Sequence, residues 1–146
     1  MANDRYDERM IEALLRIPYQ VAVARIYAGL AEAGHADVSP AHLVIWAYMR
    51  PEGSRITELA RQAQITKQSI SYLIDHLETH GYVERVPDPS DGRAKIVRLT
   101  ERGWAVDRAA REIGGQVEAE WARSLGEERV QQLRQILSNL SDQLKG

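Results

Sequence analysis

The chain has 146 residues, 44% of them apolar and 27% charged, which suits one compact unit with a sizeable core. It has no cysteine, which excludes disulfides, thiolate catalysis, cysteine-based zinc sites and thiol redox sensing. The net charge of −2 leaves a nucleic-acid partner open, since residues 54–100 carry seven Lys or Arg against six acids and binding depends on where the cations sit. No apolar run approaches the roughly 20 residues of a membrane span. The segment Met1 to Glu12 lacks the apolar stretch of a signal peptide, so a soluble, cytoplasmic protein without membrane contact is expected.

From about Asp4 to Glu32, Tyr6, Met10, Leu14, Ile17, Val21, Ala24, Ala28 and Ala31 recur at three- and four-residue steps, the spacing of a helix. Pro18 removes one backbone donor and is expected to kink or split it. Gly34 marks its end. Ser39-Pro40 suits a second helix start, followed by Leu43, Ile45, Trp46 and Met49 and stopped by Pro51 and Gly53. A third, short helix is expected from Thr57 to Ala63. After a tight connection through Gln64 and Ile65, Thr66 can cap a fourth helix to about His80, with Ile70, Leu73, Ile74 and Leu77 on one face.

Gly81 fits a left-handed helix cap, and two strands are expected at Tyr82–Val86 and Ala94–Leu99 around the turn-rich run Pro87–Gly92. Thr100 can cap a long helix to about Arg123, weakened at Gly114-Gly115. Ser124-Leu125-Gly126-Glu127 fits a capping box for a last helix. There Val130, Leu133, Ile136, Leu137, Leu140 and Leu144 form a stripe too apolar to stand without a partner.

These elements predict a mainly α chain with a small β-hairpin wing (α+β): a winged helix-turn-helix between long terminal helices. Residues 1–36 and 101–146 would serve dimerisation, and residues 37–100 DNA binding. On the fourth helix Lys67, Gln68, Ser69, Ser71 and Tyr72 lie off the apolar stripe near the N-terminus, where recognition helices meet base edges. Gln pairs with adenine and Lys with guanine, whereas Ser71 and Tyr72 suit phosphates equally well. A plain solvated helix face has the same pattern.

The hairpin distinguishes them. Asp88-Pro89-Ser90-Asp91-Gly92-Arg93-Ala94-Lys95-Ile96-Val97-Arg98-Leu99-Thr100 matches the wing signature D-x-x-D-x-R-x-x-x-x-x-L-T of the MarR family of transcriptional regulators. Ile56–Ala60 resembles that family's third helix, and Leu77–Arg85 its L-E-x-x-G-x-[IV]-x-R stretch. Gly92 would permit the turn, the acidic residues would orient Arg93, and Arg93 would enter a minor groove, with Lys95 and Arg55 as further contacts.

The resemblance implies a homodimer on double-stranded, pseudo-palindromic operator DNA. It also implies a small organic effector, often an aromatic acid, acting on a repressor. Candidate lining residues for the effector are Tyr27, His42, Trp46 and Met49, with Arg16 as a carboxylate partner, although the same residues suit plain core. His76 and His80 have the i, i+4 spacing of a metal pair, but no metal or cofactor is expected. No nucleophile triad, phosphate loop or carboxylate pair points to an enzyme. An architectural DNA-binding or protein-interaction winged helix without an effector, and a ligand-binding protein or enzyme that has abandoned DNA, remain the alternatives.

Overall fold

The computed structural model describes residues 9–145. Helix α1 spans Ile11–Glu32, and a 3-10 turn at Pro40–His42 leads into α2, Leu43–Tyr48. Helices α3, Ile56–Ala63, and α4, Lys67–Thr79, precede strands β1, Val83–Asp88, and β2, Asp91–Leu99. Two long helices close the chain: α5, Glu101–Leu125, and α6, Glu127–Lys145. Among the described residues no helix is long and apolar enough to cross a membrane.

Several boundaries differ from the sequence expectation, each for a local reason. Helix α1 is described from Ile11, with Met10 in extended conformation before it; Asp4 and Tyr6, where the expected helix starts, lie outside the described residues. Pro18 does not split the helix. The proline sits on an exposed stretch, where water can take the carbonyl that its missing N–H leaves unpaired.

The capping box at Ser124 does not form, because α5 continues through Leu125 and the break falls at Gly126 alone. Gly126 adopts φ +96°, a conformation costly for any side-chain-bearing residue, so a single residue separates α5 from α6. Helix α5 also runs unbroken across Gly114-Gly115.

One core unites the winged unit with the long helices. Ile45 of α2, Leu59 of α3, and Ile70, Ile74 and Leu77 of α4 pack with Val83, Val97 and Leu99 of the hairpin, Leu30 of α1 and Val106 of α5. Each such aliphatic side chain contributes about 1.5–3 kcal/mol when fully buried. Tyr82 is 0% exposed at its centre. Its hydroxyl donates to Asp37 Oδ1 at 2.5 Å and lies 3.0 Å from Arg102 Nη2, whose guanidinium also covers the ring. Burial first, then the bond to Asp37, pushes the Tyr82 phenol up to about 12.

Helix α5 begins close against this residue. Gly103 is buried, and a Cβ there would collide with the Tyr82 carbonyl oxygen. An ion pair with two hydrogen bonds, Arg25 to Glu120 at 2.7 and 2.9 Å, ties α1 to α5 farther along.

The hairpin is longer than expected, because β1 reaches Asp88 and β2 starts at Asp91, leaving only Pro89 and Ser90 as the turn. A two-stranded ribbon leaves its outer edges unpaired, so Pro87 fits in β1 although it has no N–H to donate. The register shifts between Pro87 and Asp88. Gly92 is a strand residue without positive φ and does not make the turn. Gly53, at φ +110° and close against Ile96 and the Val97 carbonyl, lets the backbone of Ser54 pair with Val97 at 2.8 and 2.9 Å.

Candidate nucleic-acid interface

Helices α3 and α4 meet through Gln64, which takes the left-handed conformation at φ 57° and ψ 38°. A non-glycine residue tolerates this only when the surroundings hold it. Here Ile65 N–H donates to the Ala60 carbonyl at 3.2 Å and sets the turn. Thr66 then caps α4, accepting from Ser69 N–H at 3.1 Å, while its hydroxyl donates to Ser69 Oγ at 2.9 Å.

Burial of Ile70, Ile74 and Leu77 turns the opposite face of α4 outward. Lys67, Gln68 and Tyr72 are exposed there, Tyr72 to 76%, and Ser71 is half-buried. Ser69 is exposed, but its hydroxyl is engaged with the Thr66 cap. The helix N-terminus adds a partial positive charge beside Lys67. At the other end, Asp75 Oδ1 lies 2.7 Å from Arg85 Nη2, and Glu78 also pairs with Arg85. The acids of α4 are thereby matched, and its N-terminal turn carries Lys67, which has no ion-pair partner among the described residues.

The wing projects beside this helix. Arg93 and Lys95 are exposed on β2 and, among the described residues, have no side-chain hydrogen bond or ion pair. Asp91 Oδ1 accepts Arg93 N–H at 3.1 Å, which orients the backbone there. The acids expected to orient Arg93 thus include Asp91, which does so through the backbone N–H, while the guanidinium that both wing acids face is that of Arg55. Asp88 Oδ2 accepts from Arg55 Nε at 2.9 Å, and Asp91 Oδ2 lies 4.0 Å from Arg55 Nη2. The separation of 33 residues between Arg55 and Asp88 hid this pairing from any local pattern.

The five ligand candidates are dispersed. Tyr27 lines an open groove of about 620 Å³ between α1 and the segment before α2, with Tyr19, Val23, Val38, Ser39 and Pro40, and the other four do not line it. Among the described residues the buried Tyr27 hydroxyl has no hydrogen-bond partner, and burial, then Tyr19, pushes its phenol up. Arg16 is exposed and 3.5 Å from Glu12. Trp46 Nε1 donates to the Gly103 carbonyl at 3.0 Å, and Met49 is half-buried against the core. His42 is buried, and its Nδ1 accepts from Ser39 N–H at 2.9 Å. Tyr19 was missed, although Tyr19, Val23 and Tyr27 keep the i, i+4, i+8 spacing of one helix face.

The histidines form a cluster. The His42 and His76 rings stack at 4.4 Å, the His76 and His80 rings lie 4.3 Å apart, and His35 Nδ1 is 3.1 Å from the Tyr82 hydroxyl. His76 Nε2 lies 2.8 Å from the Asp37 carbonyl oxygen, and His80 Nδ1 lies 2.8 Å from the His76 carbonyl oxygen. His76 and His80 each have a ring nitrogen on a backbone carbonyl and His42 has one on the Ser39 N–H, and among the described residues no group of three or more His, Cys, Asp or Glu could hold a metal.

A helix-turn-helix followed by a two-stranded wing defines a winged helix-turn-helix protein. Residues 36–94 match the MarR family. The Rhodopseudomonas palustris transcriptional activatory protein BadR is 35% identical over 63 residues, 41% of this chain and 36% of BadR. The Pseudomonas putida HTH-type transcriptional repressor IacR is 28% identical over 98 residues, 67% of this chain and 59% of IacR. The chain thus spans about a third to three fifths of the length of these two relatives.

Three solved structures share the fold at identities of 22–23%. Reduced MarR from Escherichia coli has a TM-score of 0.74, with 92% of this chain and 98% of that chain covered. A mutant of Staphylococcus aureus MepR bound to an oligodeoxyribonucleotide has 0.60, at 94% and 99%. Rhodococcus jostii CouR bound to p-coumaroyl-CoA has 0.67, at 92% and 92%.

Proposed function

We propose that this chain is a transcriptional regulator that binds double-stranded DNA as a homodimer and reads a pseudo-palindromic operator. The observation that carries the reading is the pairing of two cationic edges. Lys67, Gln68 and Tyr72 face outward on α4, and Arg93 and Lys95 stand on the adjacent wing. In this arrangement α4 enters a major groove, where Lys67 and Gln68 meet base edges while Ser69, Ser71 and Tyr72 face phosphates. Arg93 reaches the flanking minor groove and Lys95 the backbone.

Dimerisation is supported by the exposed apolar residues of α1 and α6, Ile11, Leu15, Ile17, Ile136 and Leu144 among them. Two winged units related by a two-fold axis would meet half-sites about one helical turn, roughly 34–36 Å, apart. Residues 1–36 and 101–146 supply the dimer helices in this reading, and residues 37–100 the winged unit.

A small organic ligand with an aromatic ring suits the groove lined by Tyr19 and Tyr27, whose lining is mainly apolar beside the two phenol rings. The groove lies where α1 meets the start of the winged unit, so a ligand there acts on the spacing of the two α4 helices only through a difference in its affinity for the two spacings. We infer a repressor that such a ligand releases.

Selection from a random duplex library, followed by footprinting, tests the DNA reading. The expected result is a two-fold symmetric footprint, with Arg93→Ala weakening binding while the helical circular dichroism is unchanged. Arg93→Ala binding as tightly as the parent protein contradicts the minor-groove assignment, and recovery of no duplex contradicts DNA binding itself. A screen of aromatic carboxylates against the operator complex, repeated with Tyr27→Phe, tests the groove. A ligand response that Tyr27→Phe leaves intact places the ligand elsewhere.

A further inference from the structure

We infer that Arg55 and Asp88 form a latch that fixes the direction of the wing, making Arg55 a positioning residue for DNA binding and not a phosphate contact. This rests on the DNA-binding reading. Asp88 closes β1 at 9% exposure, and both of its carboxylate oxygens are engaged. Oδ2 accepts from Arg55 Nε at 2.9 Å and lies 2.8 Å from Nη2. Oδ1 accepts from Ser90 N–H at 2.9 Å and Ser90 Oγ at 2.8 Å. One side chain thus holds the turn of the wing and the residue that precedes α3.

A second tie lies deeper in the hairpin. Ser54 pairs with Val97 through both backbone groups, and Val97 stands opposite Arg85, three residues before Asp88 on β1. At about 3.3 Å per residue the two ties are roughly 10 Å apart along the ribbon. A two-stranded ribbon held at one point can swing about it, whereas one held at two has a direction. Asp91, next to the turn, accepts Arg93 N–H at 3.1 Å, so the latch is carried to the residue that reads the minor groove.

The cations of the interface divide accordingly. Lys67, Arg93 and Lys95 have no side-chain partner among the described residues, as groups awaiting phosphates or bases would. Arg55 is committed to a carboxylate that is hard to discharge. The Ser90 hydrogen bonds, then that of Arg55, hold the Asp88 carboxyl down at about 2. Turning Arg55 toward a phosphate would strand this carboxylate beside the DNA backbone, where its charge is repelled.

The test compares Arg55→Ala, Arg55→Lys and Asp88→Asn with the parent protein. Hydrogen exchange on the free protein is expected to speed roughly tenfold at the Ser54 and Val97 amides in Arg55→Ala and Asp88→Asn. Unchanged exchange in both variants overturns the latch. On a duplex recovered from a random library, both are expected to lose roughly tenfold in affinity, with the slope of log K against log salt unchanged. Arg55→Lys keeps the charge but loses the Nε bond, so it should behave as Arg55→Ala does.

A slope reduced by about 0.9 in Arg55→Ala marks one lost phosphate contact and overturns the inference. So does parent-like affinity of Arg55→Lys, or tighter binding by Asp88→Asn. If the parent protein recovers no duplex, the DNA reading fails, and the exchange measurement still decides the latch.

Discussion

Helices α4 and α6 carry apolar stripes of the same helical spacing and meet opposite fates. In α4, Ile70, Ile74 and Leu77 are buried by α2, α3 and the hairpin. In α6, Val130 is buried, while Leu133 and Leu140 are about two fifths exposed, Ile136 63% and Leu144 78%. A stripe states that a helix wants a partner and not where the partner is. Helix α4 finds its partners within 50 residues of its own chain. Helix α6 rests on α5 along its first half, where Val130 is buried, Arg134 pairs with Glu118 and Leu137 is half-buried, and offers Leu133, Ile136, Leu140 and Leu144 outward.

The contrast breaks most sharply by truncation of matched aliphatic side chains. Ile74→Ala should destabilise the folded chain by about 2–5 kcal/mol in urea denaturation, because the cavity cannot close within a packed core. Leu140→Ala should cost the isolated subunit less than about 1 kcal/mol, since much of the side chain is already in water. Its effect should appear instead as weakened self-association in sedimentation equilibrium. A loss at Ile74 below about 1 kcal/mol would show that the winged core is loosely packed. A parent protein that sediments as a monomer would mean that α6 tolerates its exposure, and the dimer reading would fail.

Gly103→Ala sharpens the comparison at the junction between the two regions. The added Cβ has nowhere to go but into the Tyr82 carbonyl oxygen, so α5 must move relative to the winged unit. A loss of about 1–3 kcal/mol is expected. On the same helix, the Cβ added by Gly115→Ala meets nothing within 4 Å among the described residues, so this variant should instead match or exceed the parent's stability. Equal midpoints for Gly103→Ala and the parent protein in thermal unfolding would contradict the close approach of α5.

The smallest effect is that of pH. Burial, then Arg102, lowers the His35 pKa against the opposing pull of Asp37. Burial, then His76, lowers that of His42, with Asp37 opposing and His80 adding. A neutral imidazole in the folded chain with an ordinary value near 6.5 when unfolded means that the unfolded chain binds protons first as pH falls. This part of the stability is therefore complete above about 6.5 and lost as pH drops through the folded values. The urea midpoint should be lower at about pH 5.5 than at about pH 7.5, and the difference should shrink in His42→Gln. Equal midpoints would mean that the histidine cluster accepts protons as freely as solvent-exposed imidazoles do.

Local chemistry was readable before any coordinates. The stripe of α4, the Thr66 and Thr100 caps and the succession of helices around one hairpin follow from spacings of three or four residues, and backbone hydrogen bonding acts over that range. The same locality explains the misplaced boundaries. Ser124-Leu125-Gly126-Glu127 satisfies a capping pattern, yet a lone glycine with positive φ closes α5 more economically. Pro87–Gly92 has turn composition throughout, but pairing with the opposite strand extends the ladder until two residues remain.

What tertiary structure alone decided is which side chains meet across long separations. Arg55 with Asp88, Tyr82 with Asp37, Arg25 with Glu120 and Trp46 with the Gly103 carbonyl are pairs 33 to 95 residues apart. Composition admits many partners for each arginine, and only the angles at which α1, α3, α5 and the hairpin pack select one. The interface divides along the same line. Lys67 and Gln68 could be placed by helical period, whereas the commitment of Arg55 depended on where β1 ends beside the start of α3, a distance no spacing in the chain encodes.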